Sequence, residues 1–161
     1  MALWYLARFQ ATAQSLERVL LRRVTRSARH HGTDPAEGRA MVADLIARYR
    51  RAGLIDDAAF AQARAKTLHA RGVARRAIAA RLRAKGVGAA EIEAALAALA
   101  DGETDAAEVD LAAARRTAQR RRLGPWRPAE QRAARRERDL AALARAGFPY
   151  PVAKAVIDGE R

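Results

Sequence analysis

The sequence contains no cysteine. That excludes disulfides, zinc–thiolate sites and thiol catalysis, and it suits a reducing cytoplasm. Aromatics are few: Trp4, Tyr5, Phe9, Tyr49, Phe60, Trp126, Phe148 and Tyr150 are all that 161 residues provide. Alanine dominates the apolar half and adds little burial per residue. Cores should therefore be thin and lie between closely approaching helices. No apolar run reaches the ~18–20 residues of a membrane-spanning helix. The opening MALWYLARFQ lacks the long apolar stretch and small-residue cleavage site of a secretory signal. Acidic charge is short as well: 18 Asp+Glu against 31 Lys+Arg leave a formal net charge of +13. Local ion pairs cannot neutralise that excess. It attracts polyanions, whether nucleic acid, an acidic protein surface or anionic lipid.

β-branched residues are scarce and strict alternation is absent, while apolar spacings of three and four dominate. The pattern predicts an all-α chain with helices at about 2–10, 13–29, 35–52, 57–71, 74–85, 89–100, 105–122, 128–146 and 150–158. DPAE (34–37) places Asp34 at an N-cap, Pro35 at the first helical position and Glu37 where a capping box needs it. Val42, Ile46 and Tyr49, flanked by Leu45, then share one helix face. TDAAE (104–108) offers Thr104 or Asp105 as cap for a helix that starts acidic and ends in Arg120, Arg121 and Arg122, matching the macrodipole at both ends.

One pattern recurs. YRRAGL (49–54), LRAKGV (82–87) and LARAGF (143–148) each read bulky apolar, three residues, glycine, bulky apolar. Glycine there takes the left-handed position beyond a helix end, and the next apolar residue folds back over the last turn. The recurrence predicts a repeat of small helical modules in an elongated, curved body. Each module is too small for a large core, so neighbours must lean on one another. Phe60, Leu68, Leu82, Ile92, Leu96, Leu140 and Leu143 are the expected core. Trp126 is expected to pack the elbow of GPWRP (124–128), its alternative being an exposed contact anchor.

Asp56 and Asp57 follow the Gly53 stop and precede Phe60, an N-cap and first-turn position where carboxylates meet free backbone N–H groups. No His or Cys stands at ligand spacing from them. The histidines His30, His31 and His69 pair with no nucleophile, and AKGVGAA lacks the Gly-Lys-Ser/Thr ending of a phosphate loop. No catalytic residue, cofactor or metal is expected.

Charge is segregated along the chain. Between Gly86 and Ala114 there is no Lys or Arg, while Glu91, Glu93, Asp101, Glu103, Asp105, Glu108 and Asp110 accumulate. Basic residues crowd on both sides of this tract. Clustering nominates Arg71, Arg75, Arg76, Arg83 and Lys85, then Arg115, Arg116, Arg120, Arg121 and Arg122, as partner contacts. The Arg-rich stretch 115–138 has no strong apolar face and is broken at Pro125, which argues against membrane binding.

YLARF with SLERVLLRR, then GLIDDAAFA, RG at 71–72, IAARLRAKGV with IEAAL, and LARAGFPYPVAKAVI resemble, in order over nearly the whole chain, the RecX regulatory proteins. The resemblance implies a non-enzymatic modulator of the RecA recombinase built from tandem three-helix modules, 1–53, 54–101 and 102–161; a cytoplasmic monomer is expected. Such a protein binds along the groove of the RecA–DNA filament and limits filament growth, recombinase activity and co-protease activity in recombinational repair and the SOS response. Direct contact with single- or double-stranded DNA is a further expectation. The alternative is a helix-turn-helix-like DNA-binding protein. The helix after Gly86, AAEIEAALAALA, has no Arg, Lys, Asn or Gln to reach a base edge.

Overall fold

The computed structural model describes residues 2–8, 11–100 and 105–160, all as helix, turn or loop with no strand among them. The helices are α1 (Ala2–Arg8), α2 (Ala13–His31), α3 (Pro35–Arg51), α4 (Asp57–Ala70), α5 (Arg75–Ala84), α6 (Ala89–Ala97), α7 (Ala106–Arg121), α8 (Ala129–Arg145) and α9 (Tyr150–Asp158), with a 3-10 turn at Gly124–Trp126. The expected all-α fold holds, with boundaries within a few residues. The end of the expected 2–10 helix and the Thr104 cap lie outside the described residues.

Local chemistry sets the helix ends. The side chains of Asp34, Asp56 and Asp105 accept hydrogen bonds from Ala36, Ala59 and Ala107 N–H at 2.8, 2.8 and 2.7 Å. Each satisfies a donor that the first turn leaves unpaired. The three expected glycine stops hold φ of 67°, 80° and 97° at Gly53, Gly86 and Gly147. The chain folds back over each, with Leu54, Val87 and Phe148 N–H donating to the carbonyls of Tyr49, Leu82 and Leu143. A fourth copy stands at Leu68-His-Ala-Arg-Gly-Val73, where Val73 N–H reaches the Leu68 carbonyl at 3.1 Å and Gly72 has φ 77°.

Three hydrophobic clusters follow one another along the chain. The first joins α1, α2 and α3 through Ala2, Leu16, Val42, Ile46 and Ile55. The second joins α4, α5 and α6 through Ala61, Ala65, Leu68, Ile78, Leu82, Val87 and Ile92. The third gathers Leu140, Leu143, Val156 and Ile157 of the last two helices, Leu123 and Phe148 from the turns that precede and separate them, and Ala74 from the start of α5. Complete burial of Leu82 or Leu143 contributes about 1.5–3 kcal/mol each. Phe60 and Leu96 differ from expectation: they pack at the margin of the second cluster, only partly buried. Trp126 packs against the third cluster from the 3-10 turn, as the elbow reading requires.

Candidate functional site

Neighbouring units meet through polar contacts made by helix ends. At the first joint, Asp57 Oδ1 accepts from Ala13 N–H at 2.9 Å and its Oδ2 pairs with Arg50 Nη2 at 2.9 Å. Asp57 thus sits in the first turn of α4, and its carboxylate serves the start of α2. Asp56 keeps the N-cap role. The wholly buried Thr12 hydroxyl donates to the Lys85 carbonyl at 2.5 Å, tying α2 to the end of α5.

The second joint brings α7 across α4 and α5. Arg116 Nη1 donates to the His69 carbonyl at 2.9 Å, and Arg120 Nη1 donates to the Arg71 carbonyl at 2.6 Å. Thr117 Oγ1 donates to the Gly72 carbonyl at 2.6 Å, and His69 Nε2 meets the Val109 carbonyl at 3.0 Å. Arg116, Arg120 and Thr117 satisfy carbonyls at and just beyond the α4 C-terminus, where cationic donors are favoured. Asp110 accepts from Arg75 N–H at 2.9 Å and caps α5, whose own cap position, Ala74, has no side-chain acceptor. Asp110 is 7% exposed. The acidic tract is therefore not wholly surface charge: one of its carboxylates is a buried cap.

A third aspartate repeats the device. Asp139, 1% exposed, accepts from Gly124 N–H at 2.9 Å and holds Arg127 in a two-pronged ion pair at 2.8 and 3.0 Å. Burial alone would raise its pKa. The Arg127 hydrogen bonds, the Gly124 N–H and nearby positive charge outweigh that and hold it below the ordinary carboxylate value. Arg127 is correspondingly raised by its bond to Asp139. Between α8 and α9, Arg136 grips Asp158 at 2.7 Å through two nitrogens, lowering the Asp158 pKa.

The nominated cations divide accordingly. Arg116 and Arg120 are engaged in capping α4. Arg75 is half-buried, with its Nε enclosed and without a hydrogen-bond partner. Arg71, Arg76, Arg83, Lys85, Arg115, Arg121 and Arg122 are exposed, and among the described residues their side chains make no ion pair or hydrogen bond. Within the Arg-rich stretch, Arg132 is also spent, donating to the carbonyls of Arg127 and Pro125 at 3.0 and 2.9 Å. Ion pairing among the described residues occupies only Arg48, Arg50, Arg127, Arg136 and Lys154 of the Lys and Arg side chains. The positive excess therefore stays largely unmatched. No group of three or more His, Asp or Glu among the described residues is arranged to hold a metal ion. No described helix is long and apolar enough to cross a membrane.

The fold and this surface define a class: a tandem array of three-helix units, joined by polar caps and presenting arginine-rich faces. Comparison with known proteins is specific. The family model for the second three-helix domain of RecX matches residues 56–96. The regulatory protein RecX of Myxococcus xanthus is 48% identical over 158 residues, covering 98% of this chain and 82% of its own length. That of Thermobifida fusca is 34% identical over 151 residues, covering 88% and 76%. That of Streptomyces coelicolor is 42% identical over 71 residues, covering 44% and 38%. No solved structure matches. The chain belongs to the RecX family of regulatory proteins.

Proposed function

We propose that this protein is a non-enzymatic, cytoplasmic regulator that binds the RecA–DNA filament as a monomer and limits its growth and its recombinase and co-protease activities. The observation that carries this reading is the surplus of exposed cations without intramolecular partners on a helical array. Such a surface is attracted to a filament made negative by nucleic acid, and phosphate contacts give an affinity that falls with salt. Modules 1–53, 54–101 and 102–161 would contact successive parts of the filament, with Arg71, Arg76, Arg83, Lys85, Arg115, Arg121 and Arg122 as the contact cations. The helix-turn-helix alternative is less well supported, because Glu91 and Glu93 of α6 would meet phosphates of like sign. The test is RecA-driven ATP hydrolysis and strand exchange with substoichiometric amounts of this protein. Inhibition is expected, steepest at low salt. Unchanged rates on well-formed filaments with excess protein would overturn the reading.

A further inference from the structure

The outward face of α4 carries a groove off its buried stripe, which shares only Lys85 with the nominated cations. Two adjoining cavities of about 350 and 290 Å³ share Phe60 and Ala63 as their common floor. One extends to Leu6 and Leu54, and the other to Arg64 and Lys85. The α4 stripe Ala61, Ala65 and Leu68 faces the core. Phe60 and Ala63 lie off that stripe, so the apolar floor opens outward. Leu54 is 50% exposed, one of few large apolar side chains left so open.

We propose that this groove docks an amphipathic segment of a partner protein, with a leucine-sized anchor over Phe60 and a carboxylate reaching Arg64 and Lys85. The charge layout favours that occupant. Arg64 and Lys85 are exposed, and among the described residues their side chains have no ion pair or hydrogen bond. The Thr67 hydroxyl, which lines the same cavity, is spent on the Ala63 carbonyl at 2.9 Å. The other end is lined mostly by apolar residues and includes Asp56. A phosphate chain running the length of the groove would meet positive charge at one end only and repulsion at the other. A peptide with apolar residues followed by an acidic one matches both ends, in the manner of helix-in-groove recognition.

The proposal rests on the RecA-filament reading, since the protein component of that filament is taken as the source of the segment. The test uses the full chain with Ala63→Arg, which fills the groove while adding positive charge, and with Leu54→Ser, which removes an exposed apolar wall. Each is titrated against RecA filaments on a single-stranded oligonucleotide and against that oligonucleotide alone, with thermal melts alongside. Ala63→Arg should weaken filament binding at least ten-fold and Leu54→Ser several-fold. Affinity for the bare oligonucleotide should be unchanged or higher. Should Ala63→Arg fail to fold, Leu54→Ser decides by itself. Wild-type filament affinity in the folded variants overturns the proposal and leaves the filament reading standing. Parallel loss on the bare oligonucleotide also overturns it, by making the groove a nucleic-acid site. Absence of filament binding by the unaltered protein removes both.

Discussion

The largely buried carboxylate of Asp110 on α7 accepts the backbone N–H of Arg75 at the start of α5, at 2.9 Å. A helix in one unit is thus capped by a side chain from the next. Without Asp110 the Arg75 N–H would be enclosed and unpaired, because Ala74 has nothing to offer it. Losing a cap costs about 0.5–2 kcal/mol, and leaving a buried donor unmet costs about 1–3 kcal/mol. Asp110→Ala should therefore lower stability by roughly 2 kcal/mol. Urea denaturation checks the figure. Asp105→Ala, which removes an exposed cap of α7 itself, is the comparison and should cost about 1 kcal/mol.

The helices are legible in the sequence because their signals are local: an Asp before an apolar period, and a glycine four residues after a bulky apolar one. The turn at Gly72 is legible in the same way, since LHARGV has the spacing of the other three stops. Asp110 is not. A cap that acts across 35 residues leaves no periodic trace, and its acidic neighbours disguise it as surface charge. Arg116 and Arg120 pose the same difficulty. Clustering locates dense arginine and says nothing of the carbonyls lying opposite.

Gly72 tests how tightly the second joint is built. Its φ of 77° is costly for any residue with a side chain. A Cβ there would stand 2.6 Å from Thr117 Oγ1 and 2.9 Å from the Ala113 carbonyl oxygen. The second of these is backbone and cannot swing away. Gly72→Ala should destabilise by more than 1 kcal/mol, roughly 2–3 kcal/mol if α7 is displaced. Gly53→Ala, with a similar φ and open space around its Cβ, isolates the backbone contribution. The difference between the two melting temperatures measures the packing contribution.

Asp139 makes stability depend on acid. Its folded-state pKa lies below the ordinary value. Its contribution is therefore complete above the unfolded pKa of about 3.9. It is lost as pH falls further, through the folded value. Asp139→Asn strips the partly buried Arg127 of its counter-charge and should cost about 2 kcal/mol near pH 7. The gap between variant and wild type should narrow only below roughly pH 4. Guanidinium unfolding of both proteins across pH 2–7 checks the sign. A gap that closes between pH 5 and 7 would assign the effect to some other group.

Arginines that look alike in the sequence should separate into two kinds when replaced. Arg116 and Arg120 donate to carbonyls at the end of α4. Arg76 and Arg83 lie exposed on α5 with no intramolecular partner among the described residues. Arg116→Ala with Arg120→Ala removes two hydrogen bonds that cap a helix end. Stability should fall by roughly 1 kcal/mol, the modest value reflecting their exposure to solvent. Arg76→Glu with Arg83→Glu removes like-charge repulsion from a chain of net charge +13 and should leave the melting temperature unchanged or raised. Under the proposed RecA-filament reading, the order should invert on filaments. The Arg76/Arg83 pair should lose affinity, with a shallower dependence on salt, because each lost phosphate contact removes about 0.7–0.9 from the slope of log K against log salt. Thermal melts and salt-dependent titrations on the same four proteins decide it. A melting loss in the Arg76/Arg83 variant, or an unchanged salt slope, would move those arginines out of the contact surface.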